Sequence, residues 1–170
     1  MLAYTGTAMD WKNGFLLRGL PFLLLAAVFG VLSLAADQKP GEVPPAALVQ
    51  SDALSRSLQS PAGKPTILYV GPRFLYTQAH IPGAEFIGPA SDSASLQRLK
   101  ARAGSLKKDA PIVVYCGCCP WDHCPNIRPA YKQLQDLGFT KVKALYLATS
   151  FGADWVEKGY PVEKGEPAAK

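Results

Sequence analysis

Clustered positive charge is missing from this chain. No run of Lys or Arg is interleaved with aromatics, which leaves nucleic-acid binding without support. The formal charge of +5 over 170 residues is mild and reads as a solvated surface. There is no internal repeat and no low-complexity segment, which excludes a stacked-repeat architecture. Histidine is scarce, with only two residues. Cysteine is absent everywhere except one stretch: all four cysteines lie between Cys116 and Cys124, so any disulfide or metal they make is confined there. What remains is a chain long enough for one ordinary domain with a single core.

The first 36 residues differ from the rest. Lys12 and Arg18 precede an apolar run, Gly19 to Leu34, interrupted only by Pro21 and Ser33. Small residues follow in Ser33-Leu34-Ala35-Ala36, and then polar Asp37-Gln38-Lys39-Pro40. A basic start, an apolar middle and a small-residue site make a secretory leader over residues 1–36,. The rival reading is an uncleaved membrane anchor, since the run falls only slightly short of a span. Either way the expected destination is outside the cytosol, periplasmic or secreted, with a membrane partner only if the leader is kept. Residues 37–44 read as a linker, 45–164 as the domain and 165–170 as a tail.

Along the domain, apolar runs and helical patterns alternate. Leu48-Val49 suits a short strand, and a helix capped by Ser51 or Asp52 runs to about Leu58,. Thr66–Val70 reads as a buried strand, Phe74–Ala79 as a helical turn or two, and Pro82-Gly83 as a type II turn,. Glu85–Gly88 is a short strand, and Ser91 or Ser93 caps a helix to about Ala103,. Pro111–Tyr115 is the clearest strand, Arg128–Leu137 a helix with Gly138 at its end, and Val142–Leu147 the last strand,. Ala153–Lys158 forms a closing helix, and the chain frays after Pro161. Such alternation predicts an α/β fold with a mostly parallel sheet and helices on both faces. Active sites of such sheets lie beyond the carboxyl ends of the strands.

That place is held by Cys116-Gly117-Cys118-Cys119-Pro120-Trp121-Asp122-His123-Cys124-Pro125-Asn126. A β-branched strand leads in and a helix leads out from Ile127. The free N–H groups of a helix start attract an anion, and a thiolate there becomes a nucleophile near neutral pH. Cys116, directly after the strand, has the best position for that role. Cys118, Cys119 and Cys124 leave three readings open. They are resolving thiols that discharge Cys116, soft ligands that hold zinc or Cu(I) with Cys116 or His123, or a disulfide such as Cys119–Cys124 that staples the loop. His123 is either a base or ligand beside them or an ordinary polar loop residue. Trp121 lines a pocket or covers the loop, and Trp155 belongs in the core.

Three motifs resemble the rhodanese-like family. Tyr76-Thr77-Gln78-Ala79-His80-Ile81-Pro82-Gly83-Ala84 is similar to its aromatic-x-x-Gly-His-Ile-Pro-Gly-Ala signature. Ile112-Val113-Val114-Tyr115-Cys116 resembles the strand that ends in the family's catalytic cysteine, and Trp155-Val156-Glu157-Lys158-Gly159-Tyr160-Pro161-Val162 resembles its closing Trp-x-x-x-Gly-x-Pro-Val. The resemblance implies a three-layer α/β/α sandwich around a five-stranded, mostly parallel sheet. It also implies that Cys116 carries sulfane sulfur as a persulfide, taken from a small sulfur donor and given to a thiol acceptor. Gly117, Asn126 and Arg128 are then the candidates for binding the anion or substrate. No cofactor is implied, and a metal enters only if the thiols ligate one. His80 falls in a turn whose family role is structural.

The departures are as informative. Where the family's strand usually ends in Asp-x-Arg, this chain has Tyr69-Val70-Gly71. The nearest Arg after Cys116 is Arg128, twelve positions on, so the loop is lengthened and the added stretch holds the other three cysteines. The usual Gly-Gly before the closing Trp is replaced by Ser150-Phe151. These differences weigh against ordinary thiosulfate sulfurtransferase activity and leave open two alternatives to a sulfur-handling enzyme: a periplasmic metal-binding (copper or zinc) or thiol-redox module using the loop cysteines, and a non-catalytic rhodanese-like interaction domain.

Overall fold

The computed structural model describes residues 42–60 and 63–166. The expected leader over 1–36, most of the expected linker, Pro61-Ala62 and the last four residues lie outside the described residues. Among the described residues no helix is long and apolar enough to cross a membrane.

Nine elements alternate through the domain. They are β1 (Leu48–Val49), α1 (Ser51–Gln59), β2 (Thr66–Tyr69), α2 (Arg73–Gln78), β3 (Glu85–Phe86), α3 (Ser93–Ala103), β4 (Ile112–Tyr115), α4 (Ile127–Asp136) and β5 (Val142–Leu145). The five strands form one sheet in the order β1-β5-β4-β2-β3, and every adjacent pair runs parallel. Consecutive strand residues point to opposite faces, so each strand feeds two cores. Val70, Ile112, Val114 and Cys116 join Leu99, Ala130 and Leu134 of α3 and α4 on one face. Ile67, Tyr69, Val113 and Tyr115 join Leu54, Tyr76 and Trp155 on the other. The expected α/β/α sandwich is the observed one. Central β4 is buried along its whole length, which is why its sequence is a continuous apolar run rather than an alternating one.

The Pro82-Gly83 turn forms as expected, with Gly83 at φ +73° and the Ala84 N–H donating to the Ile81 carbonyl at 2.9 Å,. Several details differ from the sequence reading. Helix α3 is capped by Asp92, not by Ser91 or Ser93. One Asp92 carboxylate oxygen accepts from the Ser95 N–H at 2.7 Å and the other from the Ser95 hydroxyl at 2.8 Å, two bonds that a serine cap does not make together. At α1 the cap position is Gln50, and Ser51 is already inside the helix and buried. The closing segment is a wider π-type turn over Gly152–Val156, not an α-helix, as its five-residue bonds show: Glu157 N–H to the Gly152 carbonyl at 2.9 Å and Tyr160 N–H to the Trp155 carbonyl at 3.3 Å,. The chain also stays ordered past Pro161. Glu163 exchanges two backbone bonds with His80, each 2.8 Å, because the His80 segment otherwise presents an unpaired edge.

Trp155 closes the second core. Its ring is fully buried, and its indole N–H donates to the Pro161 carbonyl at 2.9 Å. Replacing Trp155 with Ala removes that bond and leaves a large cavity under the π-type turn. The expected cost is about 3–5 kcal/mol, read as a lower midpoint in urea unfolding with the secondary structure of the folded form retained.

Candidate active site

Strand β4 brings Cys116 to the carboxyl edge of the sheet. Its register with β2 pairs Tyr69 with Tyr115, and the Tyr115 hydroxyl accepts the Ile81 N–H at 2.9 Å. The His80-Ile81-Pro82-Gly83 turn therefore braces the strand that carries the cysteine and does not enter the site. His80 is buried, stacks on Tyr76 at 3.8 Å and places Nδ1 2.8 Å from the Tyr76 carbonyl oxygen, a packing and hydrogen-bonding role.

The chain turns sharply at Gly117, whose φ is +76°. A Cβ there would lie 2.5 Å from the Phe151 Cβ, so glycine is required twice, by conformation and by space. The Gly117 carbonyl accepts the Phe151 N–H at 3.1 Å, which ties the loop to the π-type turn. The turn returns Cys118 to Cys116, with the two Sγ atoms 3.2 Å apart. Cys119 Sγ lies 3.2 Å beyond Cys118 Sγ. The sulfurs of Cys116, Cys118 and Cys124 all lie within 4.8 Å of one another. All four cysteines are free thiols in the structure.

Asn126 organises the cluster. It is buried, and its carbonyl oxygen accepts the Ser91 N–H at 2.9 Å. That bond aims its amide nitrogen at the sulfurs, 3.3 Å from Cys116 Sγ and 3.8 Å from Cys118 Sγ. The first N–H groups of α4 do not point where the sequence suggests. Those of Asn126 and Ile127 serve Cys124, while Cys116 receives the Cys118 N–H. The lengthened loop is the reason, because it inserts Cys124 two positions ahead of the helix cap. The Cys116 thiol, which donates to Cys118, also lies against Cys124. That contact, with the two N–H groups, holds the Cys124 thiol well below its ordinary value. The same contact, together with burial, pushes the Cys116 thiol up. Burial also pushes the Cys119 thiol up.

A cavity of about 400 Å³ opens over Cys116 and Cys118, walled by Tyr69, Leu75, Phe151 and Glu157. Among the described residues no Lys or Arg lines it. Arg128 sits in the first turn of α4 without an ion pair or hydrogen bond among the described residues and away from the cavity. His123 is exposed on a short 3-10 turn, Trp121–His123, and is not among the grouped sulfur ligands. Trp121 packs on Tyr146, ring centres 5.3 Å apart, and covers the loop instead of lining the cavity. A larger cavity of about 690 Å³ lies at the amino ends of the strands, against Pro111 and Val142, and contains no cysteine.

Two residues at the site escape the sequence reading. Gly71 follows β2, and a Cβ on it would lie 2.9 Å from Cys116 Sγ and 2.7 Å from the Tyr69 hydroxyl oxygen. Its signal was the missing Arg at that position. Glu157 comes from the π-type turn, whose geometry no periodicity announced.

The rhodanese-like domain model matches residues 52–148, more than half of the chain. The chain belongs to the rhodanese-like family. Among solved structures, the rhodanese-like domain of an Anabaena protein is 27% identical with a TM-score of 0.53, the match covering 69% of this chain and 79% of that one. A Bacillus halodurans protein is 23% identical with a TM-score of 0.54, over 72% and 80% of the two chains. EanB, captured as a cysteine persulfide with ergothioneine, is 21% identical with a TM-score of 0.52, over 68% of this chain and 27% of that one. The last two share the fold. A search of curated proteins finds no match.

The opposed shifts of Cys116 and Cys124 set a pH profile for stability. Between the lowered Cys124 value and the ordinary thiol value of about 8.5, the unfolded pair binds two protons and the folded pair one, so stability rises with pH. Above that value the unfolded pair binds none while Cys116 keeps its proton, so stability falls. Urea unfolding of the reduced protein should therefore show a maximum near the ordinary thiol value. Cys124→Ser should remove the rising limb.

Proposed function

We propose that this rhodanese-like protein is a sulfur-handling enzyme that accepts sulfane sulfur on Cys116 and passes it through Cys118 to a thiol acceptor. The observation that carries the reading is the pair itself: two free thiols 3.2 Å apart, both facing one cavity, with one buried amide donating to both. Family membership supports it.

In the first step Cys116 gives its proton to Cys124 and attacks the outer sulfur of a hydropersulfide. The donor's S–S bond breaks, the donor leaves as a thiolate and takes up a proton, and Cys116 holds the persulfide. The Asn126 amide and the Cys118 N–H face the new anion, as a preorganised cradle for charge. In the second step the Cys118 sulfur attacks that outer sulfur while its proton passes to the departing Cys116 sulfur, so Cys116 is restored as a thiol and the persulfide moves to Cys118. An external thiol then attacks the outer sulfur and leaves with it as a hydropersulfide, and Cys118 regains a proton as a thiol. No outside oxidant or reductant is needed.

The walls argue for the donor. Thiosulfate carries two negative charges, and a cavity without Lys or Arg that includes Glu157 repels it. A hydropersulfide or other sulfane sulfur of low charge fits the apolar wall of Leu75 and Phe151. Mass spectrometry of the full chain after incubation with a small alkyl hydropersulfide tests this. One added sulfur is expected on the wild type, none on Cys116→Ser, and a persistent adduct with slowed release on Cys118→Ser. Addition to Cys116→Ser, or faster loading from thiosulfate than from the hydropersulfide, would sink the assignment.

We further propose that the chain works outside the cytosol, on the strength of the leader pattern over residues 1–36,. N-terminal sequencing of protein from its host should find a start near Ala36 or Asp37. A start at Met1 in the membrane fraction would establish an anchor instead.

A further inference from the structure

We infer that Cys116, Cys118 and Cys124 form a three-sulfur site for a soft monovalent metal ion, Cu(I) by chemistry. The inference needs only the sulfurs and stands whether or not they carry sulfane sulfur. Their three Sγ atoms lie within 4.8 Å of one another with no carboxylate or imidazole among them. A donor set of sulfur alone selects soft ions and rejects Mg²⁺ and Ca²⁺, which need oxygen.

Coordination number separates Cu(I) from zinc. Structural zinc sites are almost always tetrahedral, with four protein ligands. Here the fourth thiol, Cys119, touches Cys118 at 3.2 Å and also meets Cys124, but it does not join the group whose sulfurs all lie close to one another, which is Cys116, Cys118 and Cys124. His123, the other candidate ligand, is exposed on its turn. A cluster closed at three sulfurs suits the ion that accepts a trigonal thiolate set.

The surroundings are those of a ligand shell. The Asn126 amide donates toward two of the sulfurs, and the Asn126 and Ile127 N–H groups toward the third. Such outer donors fix ligating atoms and offset their charge. The cavity of about 400 Å³ reaches Cys116 and Cys118, which gives the ion a way in. Each sulfur binds as a thiolate, and any proton it carried leaves to water. Cys116 cannot ligate the ion and attack a donor at once, so metal binding and sulfur loading exclude each other.

The test is an anaerobic titration of the reduced full-length protein with Cu(I) in competition with bicinchoninate, a Cu(I)-binding dye. One ion per chain is expected, with near-ultraviolet thiolate–copper absorption. Cys118→Ser, whose residue is only half-buried and safe for folding, and Cys124→Ser should each weaken binding at least about tenfold. Cys119→Ser and His123→Ala should stay near wild type. Equal affinity across all four variants would overturn the site. So would equal losses in Cys119→Ser and Cys124→Ser, or one equivalent of zinc retained through dialysis in preference to Cu(I). A sulfur-loading assay run on the same samples keeps the two readings apart: Cu(I) bound by a protein that accepts no sulfur supports the site and removes only the enzyme.

Discussion

Negative charge developing on buried sulfur has to be solvated by something, and among the described residues no Lys or Arg lines this cavity. The Cys124 sulfur is met by the Cys116 thiol and by the backbone N–H groups of Asn126 and Ile127, and the Cys116 sulfur by the Asn126 side-chain amide and the Cys118 N–H. Much of the local structure follows from aiming those groups. The Ser91 N–H fixes the Asn126 amide plane, and the left-handed Gly117 brings Cys118 back over Cys116. A donor removed from such a cradle leaves sulfur charge without a partner in a low-dielectric place, which costs more than the bond itself.

The sheet makes that aim reproducible. Strand β4 lies between β5 and β2, with its end held by the Tyr69–Tyr115 register and by the Tyr115 hydroxyl on Ile81. The loop hangs from a rigid edge and is clamped again where Gly117 meets Phe151. The signature turn around His80 and the closing Trp155 thus act at a distance. They hold the wall and the strand, while the cysteines themselves sit on the strand end and the loop.

That division explains what was legible in the chain. β-branched runs such as Ile112–Tyr115 announced the strands, because burial on both faces leaves little else they can be. The convergence of cysteines on one loop was legible as composition. The destination of each sulfur was not. Cys124 takes the helix N–H groups because of where two prolines and a 3-10 turn place it, and periodicity says nothing of that. The Asp92 cap was missed because serine and aspartate compete for the same place, and only geometry decides which oxygen reaches Ser95. The π-type turn was missed because its five-residue bonds leave a spacing close enough to an α-helix to be read as one.

The loop's length and its want of a cation go together. The loop between Cys116 and α4 carries three further thiols, and the nearest later Arg, Arg128, lies in the first turn of α4, away from the cavity. The position after β2 follows suit: at Gly71 even a methyl group would press on Cys116 Sγ at 2.9 Å, so the bulk of an Arg has no room. A cavity that no described Lys or Arg lines disfavours a doubly charged donor, which is why the donor we propose is a sulfane sulfur of low charge,. The extra thiols matter to that proposal because a neighbouring thiol can share a proton with a thiolate where a fixed cation would neutralise it.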